Sequence, residues 1–262
     1  MKVAIIGANG QLGVDLSKVY RQAGHHVLEL NHSDLDIVDF QVTRKRLGNC
    51  QPDLVINTAA MHHLDKCEND PDQSFQVNGI GVRHLALLAE ELGFALVQIS
   101  TDYVFNGAQQ KPYVETDSPL PLNVYGNTKL AGELFVRSIT PRHFVVRVSG
   151  LFGAAPCRAK GGLNFIRLML KLASEREEVR VVADEALTPT YTLDIARQLE
   201  KLTATEHYGL YHMTAQGSCS WYEFAAKIFL LTGTKVKLSR AGKDEFPARS
   251  PGQNIRCWRI GI

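Results

Sequence analysis

Short apolar runs recur along the first part of the chain, and each is followed by a stretch in which apolar residues return every three or four positions. The runs have the length and β-branched content of strands, and the stretches have the period of helices. The predicted strands are Val3–Ile6, Val27–Leu30, Leu54–Ile56, Ala95–Ile99 and Phe144–Val148. The predicted helices are Gln11–Ala23, Thr43–Gly48, Pro71–Leu92 and Asn123–Ser138. Apolar strands that alternate with helices predict an α/β fold with a parallel, doubly wound sheet and right-handed connections.

The pattern loosens after Gly150. Helical periods appear at Asn164–Ser174, Thr192–Leu202 and Ser220–Leu231, with short strands at Val179–Val182 and Leu210–Met213. We therefore predict a Rossmann-like domain over residues 1–150 and a smaller, mixed lobe over residues 151–262 that is built onto it. The polar, proline-bearing segment Gly107–Pro121 predicts a long loop, either a lid or a plain surface excursion.

Composition narrows the class of protein. The 262 residues carry 29 basic and 27 acidic side chains, a net charge of +2, which gives no reason to expect a nucleic-acid partner. The five cysteines are scattered without a C-x-x-C pair, so we expect a reducing compartment and no structural metal site. The chain shows no signal-peptide pattern and no apolar stretch long enough to span a membrane, which predicts a cytoplasmic protein.

A glycine-rich loop lies between the first predicted strand and helix. It has the form G-x-x-G-x-x-G, in which glycines allow a tight turn and a close approach to a pyrophosphate. The following helix directs unpaired N–H groups and the positive end of its dipole towards that anion. The residues predicted to bind a dinucleotide here are Gly7, Asn9, Gly10, Gln11, Leu12 and Gly13.

The ends of the second and third strands add further candidate cofactor contacts. The second strand is followed by His32 and Ser33, without the acidic residue that favours NAD, so these two are candidates for a 2′-phosphate and the cofactor is predicted to be NADPH, with NADH as the alternative. Asp36 is a candidate for the adenine amine or for a turn, and Ile37 for packing on the ring. After the third strand, the small residues Ala59 and Ala60 leave room for the cofactor to cross the sheet edge.

A Y-x-x-x-K pattern, Tyr125 to Lys129, opens the fourth predicted helix. This spacing places phenol and ammonium on one helix face, about 6 Å apart along the axis. A fixed ammonium lowers the pKa of a phenol, which makes it a competent proton donor, and it can also hold ribose hydroxyls. At the end of the fourth strand, Ser100 or Thr101 can donate to a carbonyl oxygen that gains charge.

These motifs together resemble the extended short-chain dehydrogenase/reductase family, and within it the branch that reduces nucleotide-sugar ketones. The likeness rests on the glycine loop, on Asn57–Ala60, on Ser100–Phe105, on Pro121–Glu133 and on Pro189–Thr192, and it covers about residues 1–249. It implies NAD(P)H-dependent reduction of the C4 ketone of a nucleotide-activated deoxysugar, dTDP-4-dehydro-L-rhamnose to dTDP-L-rhamnose. The implied partner is the nucleotide sugar, in a monomer or homodimer, with no nucleic acid and no membrane.

The resemblance also implies roles for single residues. Thr101, Tyr125 and Lys129 form the implied triad, in which Thr101 orients the ketone, Tyr125 gives the proton and Lys129 tunes Tyr125 and contacts the cofactor. The implied substrate contacts are Ser100, Thr101, Asp102, Tyr103 and Gly150. The chain departs from the family pattern at Met61–His63 and at Gly150, both towards the substrate. Three alternatives therefore stay open: reduction of a related nucleotide sugar, epimerisation, and a non-catalytic NADP-binding regulatory subunit similar to the β subunit of methionine adenosyltransferase.

The last residues, 250–262, show neither a helix nor a strand period. Relatives of this kind continue after the Phe-Pro-Ala found here at Phe246–Ala248 with Arg-Pro-x-x-Ser-Val-Leu-Asp/Glu-Asn. When the tail is back-translated with permitted codons and the first two bases are dropped, it can read Pro-Arg-Pro-Lys-His-Ser-Val-Leu-Glu-Asn-Arg. We therefore expect a frameshift near Arg249 and an incomplete second lobe, a divergent natural terminus being the alternative.

Overall fold

The computed structural model describes residues 1–109, 111–156, 161–242 and 245, so the tail for which a frameshift is expected lies outside the described residues. The strands are β1 Lys2–Ile6, β2 His26–Leu30, β3 Leu54–Asn57, β4 Ala95–Thr101, β5 His143–Val148, β6 Leu151–Phe152, β7 Glu178–Val182, β8 Ala186–Leu187, β9 Thr190–Tyr191, β10 Gly209–His212, β11 Cys219–Ser220 and β12 Lys237–Ala241. The helices are α1 Gln11–Gln22, α2 Phe40–Cys50, α3 Leu64–Asn69, α4 Pro71–Phe75, α5 Gly81–Leu92, α6 Val124–Ile139, α7 Phe165–Glu175, α8 Thr192–Thr203 and α9 Trp221–Thr232. A π-helical turn, Gln76–Ile80, joins α4 to α5, and a 3₁₀ turn, Asp102–Val104, follows β4.

The central sheet confirms the predicted doubly wound α/β fold. Six strands pair in the order β10-β5-β4-β3-β1-β2, and all five pairings are parallel. The chain turns outward from β1 to β2 and then crosses back to β3 on the other side of β1. Such a switch point opens a crevice at the carboxyl ends of the two flanking strands, where α/β sheets bind their ligands.

Apolar side chains cover both faces of the sheet. On one face α1 and α8 pack through residues such as Leu16 and Leu199. On the other face α2, α5 and α6 pack through residues such as Leu47 and Leu85. The strands are apolar on both faces because helices cover the sheet on each side. No helix within the described residues is both long enough and apolar enough to cross a bilayer.

Most predicted helices lie within a few residues of the observed ones, and polar caps fix several of their starts. Asn123, Asn164 and Ser220 each accept a hydrogen bond from a backbone N–H in the first helical turn, at the start of α6, α7 and α9. The predicted helix Pro71–Leu92 is the exception, because the π-helical turn divides it into α4 and α5. The apolar period continues through this turn, so the sequence pattern does not reveal it.

The second lobe is smaller than the predicted division at residue 150 suggests. Its own core forms where α7 and α9 pack on the parallel pair β7 and β12, around residues such as Met169 and Phe229. By contrast, β10 pairs with β5 in the main sheet, and α8 packs on the same face as α1. The chain therefore returns to the central sheet after residue 190. Segments from both predicted parts, residues 1–150 and residues 151–262, thus contribute to the domain built on that sheet.

The predicted loop Gly107–Pro121 is fixed to the sheet through several of its described residues. The ring of Tyr113 is 2% exposed and stacks on Phe105 with a centroid distance of 4.2 Å. The Glu115 carboxylate accepts a hydrogen bond from the backbone N–H of His212 at 2.9 Å. These contacts attach the described part of the loop to the carboxyl edge of the sheet, beside the start of α6.

A buried ion pair joins α6 to the sheet. Glu133 on α6 and Arg147 on β5 are 0% and 1% exposed, and Arg147 donates to both carboxylate oxygens at 2.6 to 3.2 Å. Ser100 of β4 donates to the same carboxylate, and the second guanidinium amine of Arg147 lies 3.4 Å from His212 Nε2. Burial lowers the pKa of His212 to about 4, so at neutral pH its imidazole is uncharged and can accept from Arg147.

Replacing Arg147 by Met should lower the free energy of unfolding by about 3–5 kcal/mol, because it leaves the Glu133 charge buried without its partner. Urea denaturation measures the change. The control is Arg44→Met, which breaks the exposed pair with Glu91 and should leave stability almost unchanged. A loss for Arg147→Met no larger than that of the control would show that the buried pair does not stabilise the fold.

Candidate active site

The glycine loop after β1 has the geometry of a phosphate cradle. Gly7 has φ +78°, and a Cβ there would lie 2.6 Å from Thr58 Oγ1, so no larger residue fits. A Cβ on Gly13 would lie 2.3 Å from the Gly7 carbonyl oxygen, which shows how closely α1 approaches the loop. Gly10 caps α1 in an extended conformation and uses no side chain to satisfy the first helical N–H groups. These N–H groups remain available to an anion.

The other residues of the predicted loop, Asn9, Gln11 and Leu12, make contacts within the protein. Leu12 is 5% exposed and lies in the core. The Gln11 side-chain oxygen accepts from the Gly153 N–H and from the Asn164 amide, both at 3.1 Å, and so joins the loop to the chain that follows β5. The backbone N–H of Asn9 donates to Asn31 Oδ1 at 3.1 Å. The side chains of Gln11 and Leu12 are therefore engaged within the protein, which leaves only their backbone N–H groups for the predicted cofactor contacts.

Beyond β2, the predicted residues have different environments. His32 and Ser33 are exposed, next to the loop. Asp36 Oδ1 accepts from the Val38 N–H at 3.0 Å, which is the turn role that the sequence left open. Ile37 is 3% exposed within the core, so little of its side chain remains to pack on an adenine ring. After β3, Ala59 and Ala60 are half-buried, and the Ala59 N–H donates to Asn57 Oδ1.

Tyr125 and Lys129 lie one turn apart at the start of α6, as predicted. The Lys129 side chain is 4% exposed, and its Nζ donates to the carbonyl oxygen of Ile99 at 2.6 Å. Burial lowers the pKa of Lys129 to about 8, while the Glu133 carboxylate acts in the opposite direction. An ammonium has three N–H donors, so two remain for a ligand.

The phenol of Tyr125 differs from the expectation based on the motif. Burial raises its pKa, and the hydrogen bond with the Thr101 side chain lowers it by less. The expected lowering by Lys129 is therefore not what the structure shows. The Tyr125 hydroxyl is therefore protonated at neutral pH, and the Tyr103 ring packs edge-on against the Tyr125 ring with a centroid distance of 5.6 Å.

The predicted substrate residues are not equivalent. Ser100 is 2% exposed and its hydroxyl donates to Glu133 on α6. It therefore joins β4 to α6 and is not available to a substrate. Thr101 is the last residue of β4, and its hydroxyl donates to Asp102 at 3.1 Å. Gly150 has φ +52°, and a Cβ there would lie 2.7 Å from the Thr188 carbonyl oxygen, so it serves a tight backbone crossing. Thr101, Asp102 and Tyr103 remain at the edge where Tyr125 lies.

The sequence analysis missed Asn78, which is fully buried in the π-helical turn. Its side chain accepts from the Met61 N–H at 3.0 Å and donates to the Met61 carbonyl at 2.9 Å and to Thr128 Oγ1 at 3.1 Å. It thereby ties the segment after β3 to α6, next to Tyr125. A single asparagine within a helical pattern gives no signal of such a role.

Comparison with known proteins places these residues in a family context. The family described as RmlD substrate binding domain matches residues 1–253. The spore coat polysaccharide biosynthesis protein SpsK of Bacillus subtilis is 39% identical over 95% of this chain and 86% of its own length. A crystal structure of a dTDP-4-dehydrorhamnose reductase from Clostridium acetobutylicum superposes with a TM-score of 0.92 at 40% identity, covering 97% of this chain and 88% of that one. The enzyme of the same name from Bacillus anthracis, in complex with NADP, has a TM-score of 0.92 at 38% identity, with 97% and 89% covered.

Gly10→Val should abolish dinucleotide binding, because its side chain would occupy the space in front of the helix N-terminus. Titration calorimetry with NADP⁺ and NAD⁺ measures the loss. Gly48→Val on α2, where a Cβ meets nothing within 4 Å, is the control for adding the same side chain. Parental affinity in Gly10→Val would exclude this loop as the pyrophosphate site.

Proposed function

Since the chain belongs to the RmlD substrate binding domain family, we propose that it is an NAD(P)H-dependent reductase of the C4 ketone of dTDP-4-dehydro-L-rhamnose, which yields dTDP-L-rhamnose. The observation that carries the proposal is the position of Tyr125 and the buried Lys129 one turn apart on α6, with Thr101 at the end of β4, the strand that α6 packs against. A phenol, a hydroxyl and an ammonium at the sheet edge suit reduction of a carbonyl. The dTDP-4-dehydrorhamnose reductases reported above match the chain along almost its whole length, which supports the substrate class.

The residues present fit a nicotinamide dinucleotide. A Cβ at Gly7 or Gly13 would clash with neighbouring atoms, and Gly10 begins α1 without a side chain, so the loop presents the N-terminus of α1 in a form that suits the pyrophosphate. The free donors of Lys129 suit ribose hydroxyls. A bound NAD(P)H supplies the hydride that reduces the ketone carbon.

The protein supplies the proton. A raised pKa keeps the Tyr125 hydroxyl protonated across the neutral range. The ketone oxygen becomes strongly basic as it gains negative charge, so it can take the proton from a phenol of this kind. Thr101, at the end of β4, supplies a second hydroxyl at the same edge of the sheet, which suits the ketone oxygen as it gains charge.

Three outcomes of one assay separate the candidate functions. The purified chain is incubated with dTDP-4-dehydro-L-rhamnose and NADPH or NADH, and absorbance at about 340 nm reports cofactor oxidation. Stoichiometric oxidation with formation of dTDP-L-rhamnose supports the proposal. Cofactor binding without turnover on this or a related 4-ketosugar would indicate the regulatory subunit. Sugar interconversion without net oxidation would indicate an epimerase.

Tyr125→Phe should lower kcat by about 10² or more and leave cofactor affinity unchanged, because only the proton donor is lost. Steady-state kinetics and cofactor titration measure the two effects. Tyr222→Phe, on α9 in the second lobe, removes a phenol remote from this edge and should have no effect. Near-parental turnover in Tyr125→Phe would remove this residue from the mechanism.

Turnover and cofactor affinity should both fall as pH rises through about 8, because Lys129 is charged below its pKa of about 8 and neutral above it. Lys129→Met should be impaired in both properties at pH 7 and should lack this decline. Profiles of kcat/KM and of cofactor Kd between about pH 6 and 9.5 test this. The same decline in Lys129→Met would assign it to another group.

A further inference from the structure

Glu68 lies on α3, the short helix that follows the segment after β3. Its side chain is half-buried, and its Oε1 accepts a hydrogen bond from the backbone N–H of Val124 at 2.8 Å. No ion pair joins Glu68 to a basic residue in the part of the chain that the structure describes. The partial positive charge at the N-terminus of α6 is therefore the partner of this carboxylate, one residue before Tyr125.

The first turn of α6 depends on contacts from outside the helix. The first N–H groups of any helix find no acceptor within it, so helix ends open more readily than helix centres. In α6 the Asn123 side chain accepts the Gly126 N–H at 2.8 Å, and Glu68 accepts the Val124 N–H. Tyr125 lies between these two capped residues, in the least self-supporting part of the helix.

The same turn packs directly against the 3₁₀ turn that follows β4. A Cβ on Gly126 would clash with the Tyr103 carbonyl oxygen and would lie 2.9 Å from the Pro121 Cβ. The Tyr103 ring also packs edge-on against the Tyr125 ring. A shift of the first turn breaks these close contacts, and the hydrogen bond to Glu68 opposes such a shift.

The helix that carries Glu68 is itself fixed. Cys67, the preceding residue, is fully buried, and its Sγ donates to the Met61 carbonyl oxygen at 3.4 Å. The same carbonyl accepts from Asn78 Nδ2 at 2.9 Å. These bonds attach α3 to the segment after β3, so α3 can hold the Glu68 carboxylate in one place.

The other contacts that hold α6 lie further along the helix. Lys129 is fixed one turn after Tyr125, and Glu133 two turns after it. They restrain the body of the helix and leave its first turn to the caps Asn123 and Glu68.

We propose that Glu68 is a positioning residue for the proton donor: its carboxylate holds the first turn of α6 on α3 and thereby keeps the Tyr125 hydroxyl in place at the sheet edge. The inference rests on the proposed function for the role of Tyr125. Proton transfer depends steeply on the position of the donor, since a displacement of about 1 Å can cost about 10²-fold in rate. Loss of Glu68 therefore lowers kcat, whereas cofactor affinity, which depends on the glycine loop and Lys129, is kept.

The test compares Glu68→Ala, which removes the acceptor, with Glu68→Gln, which keeps an acceptor oxygen at the same reach. With dTDP-4-dehydro-L-rhamnose and NADPH, we expect kcat to fall about tenfold or more in Glu68→Ala at unchanged cofactor Kd. In Glu68→Gln we expect kcat within about threefold of the parent. Hydrogen exchange of the backbone amides at residues 124–126, followed by mass spectrometry, should be about tenfold or more faster in Glu68→Ala alone.

Three results would overturn the proposal: parental exchange or turnover in Glu68→Ala, an equal loss in Glu68→Gln, or a fall in cofactor affinity that matches the fall in kcat. If Glu68→Ala does not fold, Glu68→Asp replaces it, because it withdraws the acceptor by one methylene and should show the same changes. If the parent chain oxidises no cofactor with any 4-ketosugar, the proposed function fails, and the exchange measurement still decides whether Glu68 holds the first turn of α6.

The matched control is Asp39→Ala. Asp39 is another carboxylate that accepts a backbone N–H at a helix start, that of Val42 on α2, at 2.9 Å. Its loss removes a cap of the same kind from another helix and should leave kcat and the exchange at residues 124–126 unchanged. A fall in kcat as large as that of Glu68→Ala would assign the effect to the loss of any helix cap and overturn the role of Glu68.

Discussion

The buried ion pair between Glu133 and Arg147 is the contact on which the position of α6 depends. It fixes α6 to β5, and through Ser100 and His212 it reaches β4 and β10. Tyr125 and Lys129 lie two turns and one turn before Glu133 on the same helix. Two charges without access to water persist only where geometry and hydrogen bonds compensate their desolvation, so the pair holds α6 in one register against the sheet. The position of Tyr125 relative to Thr101, at the end of β4, therefore depends on this ion pair.

The candidate catalytic side chains and the side chains that fix their positions are different residues. Ser100 and Thr101 are consecutive, yet Ser100 donates to the buried Glu133 carboxylate and Thr101 donates to Asp102 at the edge of the sheet. The same holds on the other side of α6, where Asn78 connects Thr128 to the segment after β3. Successive side chains of a strand point to opposite faces of the sheet. The role of a hydroxyl or an amide at this edge therefore follows from the group to which it is hydrogen-bonded, and its position in the sequence does not reveal it.

The sequence predicts the fold and the glycine loop well because both depend on local rules. Apolar periodicity identifies β1–β5, and polar caps such as Asn123 mark helix starts. Local rules do not reveal pairing partners: nothing in the pattern around Leu210 says that this strand joins β5. Glu133 and Arg147 look like solvated charges in a sequence, since burial is a property of the assembled sheet. The raised pKa of Tyr125 has the same origin, because desolvation outweighs the effect of the motif.

The side chain of Gln11 connects the glycine loop to the segment that leads into the second lobe. One side-chain oxygen in the phosphate loop receives donors from Gly153 and Asn164, which lie on the path into the second lobe. Gln11 is also the first residue of α1, so the residue that begins this helix is held by hydrogen bonds from the chain before α7 and from its N-cap. A side chain at position 11 without this oxygen would therefore release the glycine loop and the start of α7 from each other.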